Sequence, residues 1–194
     1  MPEWTEGRWS VEPVATALAG AHLLVTAARG SDAWRETAHG YITDSAHALL
    51  APMESDTAVE VTLRADLTEQ FDQAGIMLRA SATEWIKAGV EYADGVLQLG
   101  AVVTRGTSDW SSSPVDWTGR LVTLSASRTG NAVVIRARVD DEEWRTIRVA
   151  WVDPAVAYAA GPYLAAPTRD GLSVRFTRWT TGPADAVVHP DGLP

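Results

Sequence analysis

The chain has 194 residues and carries 16 Lys+Arg against 25 Asp+Glu, a formal charge of −9. The absence of Cys removes disulfides, thiolate metal sites and thiol catalysis together, and a chain this long buries a core without such staples. With 46% hydrophobic and 21% charged residues it is not a disordered chain, and the acidic balance argues against nucleic acid or an anionic membrane surface as partner.

The opening residues lack the basic region and apolar stretch of a signal peptide. The most apolar run, residues 14–28, is interrupted by Thr16, Gly20, His22 and Thr26 and falls short of a spanning helix. A cytoplasmic location is the expectation. Short strands are expected at residues 9–12, 22–27 and 34–38. Period-2 alternation then takes over, with Val59, Val61 and Leu63 against Glu60, Thr62 and Arg64. Ala74, Ile76 and Leu78 oppose Gln73, Gly75, Met77 and Arg79, and Ile86, Ala88, Val90 and Tyr92 oppose Trp85, Lys87, Gly89 and Glu91. Ala93-Asp94-Gly95 turns the chain into a strand over residues 96–104. Residues 108–111 read as a loop. Residues 121–128 and 132–139 flank a tight turn at Thr129-Gly130-Asn131. Strands over 144–149, 158–165 and 172–179 complete the count, and 181–194, rich in Pro and Gly, reads as a tail. About a dozen strands at this spacing predict two packed antiparallel sheets in one domain over residues 1–180.

Three segments together carry a family resemblance: Asp72-Gln73-Ala74-Gly75-Ile76-Met77-Leu78-Arg79, Trp85-Ile86-Lys87-Ala88-Gly89-Val90-Glu91, and Val102-Val103-Thr104 followed by Ser108-Asp109-Trp110-Ser111. Asp32-Ala33-Trp34-Arg35-Glu36-Thr37 and the stretch from Gly161-Pro162 to Pro167 fit the same pattern. The chain resembles the regulation-of-enolase-type proteins, a domain-of-unknown-function family. The resemblance implies an all-β, concanavalin A-like jelly-roll sandwich of two antiparallel sheets. It implies no activity, and fold analogy to lectins and glucanases is only a prior about sites.

The strand over residues 85–91 is the best carrier of chemistry. Its apolar side supplies the core, so Trp85, Lys87 and Glu91 share the opposite face. Lys87, the only lysine, lies ~7 Å from Trp85 and ~13 Å from Glu91 along the strand. Gly75 and Gly89 leave a floor without side chains, open to a ligand or to another backbone. Gln73, Met77 and Arg79 project from the preceding strand, Asp109 and Trp110 are expected to form a rim, and Trp34, Thr37 and His39 to line a neighbouring strand. An aromatic plate flanked by hydrogen-bonding groups suits a sugar ring. Asp72 is expected to make a structural hydrogen bond, and Trp144, Trp151 and Trp179 to pack.

Glycosidase chemistry needs two carboxylates about 5–5.5 or 6.5–9.5 Å apart. Glu91 has no acidic partner at the alternate positions of its own strand, and Asp140–Glu143 sits in a turn. His22, His39, His47 and His189 show no metal-ligand spacing, and no nucleotide or nucleophile motif is present, so neither metal nor cofactor is expected. The expectation is non-catalytic binding of a carbohydrate or small polar metabolite on the concave sheet face. The alternatives are a saccharide-active hydrolase or lyase using Lys87 and Glu91, and a regulatory domain that binds a protein partner.

Overall fold

The structure, a computed structural model, describes residues 4–185. In chain order its strands are β1 (Arg8–Trp9), β2 (Ala15–Ala19), β3 (His22–Thr26), β4 (Ala33–Arg35), β5 (Ile42–Asp44), β6 (His47–Met53), β7 (Thr57–Arg64), β8 (Gln73–Arg79), β9 (Glu84–Ala93), β10 (Val96–Arg105), β11 (Thr107–Pro114), β12 (Leu121–Thr129), β13 (Ala132–Val139), β14 (Arg145–Trp151), β15 (Tyr158–Ala165) and β16 (Ser173–Pro183). No helix occurs among the described residues. The first sheet runs β1-β6-β15-β8-β9-β10-β11 and the second β14-β13-β12-β7-β16-β3-β2, while β4 and β5 form a separate two-stranded ribbon. Every strand pair is antiparallel. This is the expected all-β sandwich of two sheets.

Alternation decides what each face does. Ala74, Ile76 and Leu78 of β8 and Ile86, Ala88 and Val90 of β9 point inward, meeting Val59, Val61, Leu63, Leu124 and Phe176 of the second sheet in the main core. The opposite residues of β8 and β9 therefore face outward. There the β4–β5 ribbon lies across them and closes a smaller apolar cluster of Trp34, Met77, Trp85, Val102 and Tyr163. Arg79 holds the ribbon with a two-pronged pair to Asp44, each bond 2.6 Å. Arg35 holds its other side, donating Nε to Gly106 O at 2.7 Å and its backbone N–H to Ser108 Oγ at 2.9 Å.

Two turns follow directly from residue type. Asp94 (φ 55°) and Gly95 (φ 82°) both take left-handed conformations, which a two-residue hairpin loop requires. Gly106 (φ 74°) alone joins β10 to β11. That second hairpin corrects the loop expected at residues 108–111. β11 pairs with β10 along its whole length, yet it is an edge strand with nearly all its side chains in water. A strand with no buried face leaves no alternation to read. β16 likewise continues through Thr181, Gly182 and Pro183, paired with β7, three residues into the segment read as a tail. Residues 186–194, with His189, lie outside the described residues.

Candidate functional site

A row of residues crosses the first sheet at one level: Tyr163 pairs with Gly75, Gly75 with Gly89, Gly89 with Gly100, and Gly100 with Ser112. A Cβ on Gly75 would stand 2.0 Å from Ala88 O, and one on Gly89 would stand 2.2 Å from Ala74 O. The neighbouring backbone is thus what approaches these glycines. The bare strip also has a consequence for Lys87. Its Cα pairs with Met77, four residues from Gln73 along β8, a distance of ~13 Å. Over the glycines Lys87 Nζ nevertheless reaches Gln73 Oε1 at 2.7 Å. It also donates to Asp32 Oδ1 at 3.1 Å, and Gln73 Nε2 donates to the same oxygen at 3.2 Å. Ala33 N–H adds a third bond to that oxygen at 2.8 Å. Lys87 is 4% exposed, so the only ammonium of a lysine in the chain is a brace tying the ribbon to β8 and β9.

Beside this brace opens a cavity of about 90 Å³. Its polar lining is Asp32, Gln73, Lys87, Glu91 and His39, and its aromatic lining is Trp34, Tyr41, Phe71 and Trp110. A narrow extension runs on past Gly89, Gln98, Gly100, Ser112 and Tyr163. Trp34 donates Nε1–H to Thr37 O at 3.0 Å, and the His39 ring lies between those of Trp34 and Tyr41, with centroids 5.6 and 5.8 Å away. Phe71 and Trp110 are 40% and 45% exposed at the mouth.

Phe71 sits at φ 66°, a costly conformation for an aromatic residue that surrounding bonds must enforce. Asp72 does so. Fully buried, its Oδ2 accepts from Thr68 N–H at 3.2 Å and Glu69 N–H at 3.0 Å, and pairs with Arg169 Nη2 at 3.0 Å. One carboxylate thereby holds both the Phe71 turn and the loop carrying Pro167, which also lines the cavity.

Glu91 differs from Asp32, Gln73 and Lys87 beside it. No described residue hydrogen-bonds to its carboxylate. Burial pushes its pKa up to about 7; the Lys87 charge opposes the rise, and Asp32 and Asp94 add to it. The two carboxylates are therefore unlike: Asp32 is fixed by three donors, and Glu91 is desolvated and uncommitted. Burial, and then the charges of Asp32 and Glu91, also raise the pKa of Tyr41.

Of the residues expected at the site, Trp34, Gln73, Lys87, Glu91 and Trp110 line the cavity. Trp85 does not. It is 1% exposed, packed with Trp34 and Met77 under the ribbon, and its indole N–H has no acceptor. The expected aromatic plate is supplied instead by Trp34, Tyr41, Phe71 and Trp110. Met77, 1% exposed, is part of the same packing, and Arg79 is committed to Asp44. Asp109 turns to the other side of β11 and pairs with Arg148 at 3.2 Å, because Trp110 next to it takes the outer face. His47 is buried, accepting Ala28 N–H at Nε2 and bonding Val11 O through Nδ1. Trp179 is buried, whereas Trp151 is 52% exposed beneath the Arg105 guanidinium. Asp32, Tyr41, Phe71 and Pro167 were not singled out. The signal for Asp32 was the solitary lysine itself, since a buried ammonium requires a counter-charge.

Fold and site together define a β-sandwich protein with a small pocket, part aromatic and part carboxylate, on the outer face of one sheet. The family model described as "Protein of unknown function (DUF1349)" matches residues 9–184, and the chain belongs to that family. It is 31% identical over 188 residues to Regulation of enolase protein 1 of Saccharomyces cerevisiae, covering 96% of this chain and 95% of the relative. Among solved structures, a functionally unknown protein from the same yeast superimposes with a TM-score of 0.89 at 30% identity, over 95% of this chain and 100% of that one. A xylan beta-1,4-xylosidase from Bacillus halodurans shares the fold with a TM-score of 0.70 at 16% identity, over 93% of this chain and 38% of the enzyme. An alginate lyase from Klebsiella pneumoniae does so with a TM-score of 0.60 at 13% identity, over 87% and 84%.

Proposed function

We propose that the chain is a non-catalytic binding protein whose pocket takes one unit of a carbohydrate or a sugar-like metabolite. The observation that carries this is the convergence of Trp34, Tyr41, Phe71 and Trp110 on Asp32, Gln73, Lys87 and Glu91. A sugar ring offers apolar C–H faces to aromatic rings and hydroxyl edges to fixed polar groups. The cavity, at about 90 Å³, is smaller than the roughly 150 Å³ that takes up a benzene, so the edge of a single ring enters while its face rests on Phe71 and Trp110 at the mouth and any longer chain stays outside. The enzymes that share the fold act on saccharides by their titles, which supports the ligand class. The name of the yeast relative adds a regulatory role, with pocket occupancy as the input.

The test is a thermal-shift screen against mono- and oligosaccharides and their amino and acidic derivatives, with Trp110→Ala alongside. Trp110 is the variant of choice because Lys87→Met would strand Asp32 and Gln73 and destabilise the fold by itself. A ligand at a hundredfold its Kd stabilises by about 2.7 kcal/mol, or roughly 2–4 °C per kcal/mol at this size. A shift in the wild type that Trp110→Ala loses supports the pocket; no shift across the panel overturns it.

A second reading, a saccharide-active enzyme, is favoured by the contrast between a braced Asp32 and a Glu91 raised to about 7, the division of labour that acid–base catalysis uses. It predicts turnover of a glycan substrate that both Glu91→Gln and Asp32→Asn abolish in folded protein.

A further inference from the structure

The hydrogen-bonding capacity left over in the pocket is unbalanced. Two of the three Lys87 Nζ hydrogens go to Gln73 and Asp32, and the Gln73 amide hydrogens go to Asp32 Oδ1 and Phe71 O. The donors fixed on the sheet are thus nearly spent, and the Tyr41 hydroxyl, the His39 ring and the Trp110 indole are the lining donors that bond no described residue. The acceptors are not spent: Asp32 Oδ2 and both oxygens of Glu91 take no bond from any described residue. Beside the His39 ring and the Tyr41 hydroxyl, the lining sets two carboxylates against one ammonium, and that ammonium already belongs to Asp32. Aromatic faces stand around these oxygens, and such faces attract cations. A phosphorylated or acidic sugar would bring further negative charge to a pocket that already holds two carboxylates. An amine brings three donors and the missing charge.

We propose that the pocket is selective for an amine-bearing sugar, whose ammonium is received by Glu91 while its ring lies against the aromatic wall. This rests on the carbohydrate reading above and narrows it. Binding displaces a proton at acid pH, because the free Glu91 carboxyl is held up to about 7 by burial and must ionise to pair with the amine. The groups facing it are Lys87 of its own strand, Asp32 before β4, Tyr41 just before β5, Tyr163 of β15 and Asp94 of the β9–β10 turn. His39 of the ribbon lines the same pocket.

The experiment is calorimetric titration of the wild-type chain with glucosamine, glucose and glucuronate between pH 5 and 7. Glucosamine is expected to bind at least tenfold tighter than glucose at pH 7, with glucuronate weakest. Its Kd should improve by nearly the whole of that preference between pH 5 and 7, with net proton release at pH 6 read from two buffers of different ionisation enthalpy. Glucose should show no such slope. Glu91→Gln should bring glucosamine to within about twofold of glucose and flatten the slope. Glucosamine binding no tighter than glucose, or a slope that survives Glu91→Gln, overturns the amine preference and leaves carbohydrate binding standing. Failure of all three sugars to bind overturns carbohydrate binding itself.

Discussion

At the scale of single residues, Glu91 costs the free protein stability. Its carboxyl binds a proton more tightly in the folded chain, at about 7, than at its ordinary 4.5. Folding therefore benefits fully below about 4.5, and that benefit fades as pH rises through 7. At neutral pH the ionised, unpaired group costs on the order of 2–3 kcal/mol. Glu91→Gln is accordingly expected to raise Tm above pH 7 by several degrees and to leave it unchanged below pH 4. Thermal melts of both proteins at pH 4, 6 and 8 check this, and equal Tm differences at all three would refute it. A group kept at such a cost, with no hydrogen-bond partner among the described residues, fits one whose partner arrives from outside.

Among the elements, the β4–β5 ribbon turns one sheet face into a pocket, since it supplies Trp34, His39 and Tyr41 and carries Asp32 just before it. Besides the Asp32 brace, its hold on β8 is the Arg79–Asp44 pair, 18% and 33% exposed. Asp44→Ala should cost about 1–2 kcal/mol and raise hydrogen exchange across residues 33–44 while β8 and β9 keep their protection. A rise spread over the whole first sheet would show that the ribbon and sheet open together. β8 and β9 themselves depend on the glycine row. In Gly89→Ala the new Cβ meets Ala74 O at 2.2 Å and Gly75 Cα at 2.7 Å, both backbone atoms that cannot swing away. A loss of about 3 kcal/mol or more is expected, and a denaturant midpoint within error of wild type would rule out the clash.

For the whole molecule, the sheets were legible in the chain because β7, β8 and β9 each bury one face and alternate accordingly. β2 and β11 lie at sheet edges with their side chains in water, so no alternation marked them. The pocket was half legible for a related reason. Strand spacing places Gln73, Lys87 and Glu91 on one face, a local fact. That Asp32 comes to Lys87 across 55 positions, and that Trp85 is covered while Trp110 is not, depends on where the ribbon docks, which no local pattern encodes. The same long-range wiring governs folding. β15 lies between β6 and β8, and β16 between β7 and β3. A fragment ending at Asp153 thus loses an interior strand from each sheet. It is expected to show neither a cooperative melt nor the near-ultraviolet dichroism of packed tryptophans; either signal would mean that the first fourteen strands hold together alone.

Those two interior strands also bear on how the protein is made. A ribosome delivers β15 and β16 after every other described strand, so until then the ladders of the two large sheets stand as four separate pieces, the β4–β5 ribbon aside: β1 with β6, β8 through β11, β2 with β3, and β7 with β12 through β14. Each offers the cell an open, largely uncharged strand edge throughout translation. Closure of both sheets waits for residues 158–183. A chain stopped before Tyr158 therefore presents those open edges to chaperones or proteases, and the closed sandwich certifies that translation passed through β15 and β16.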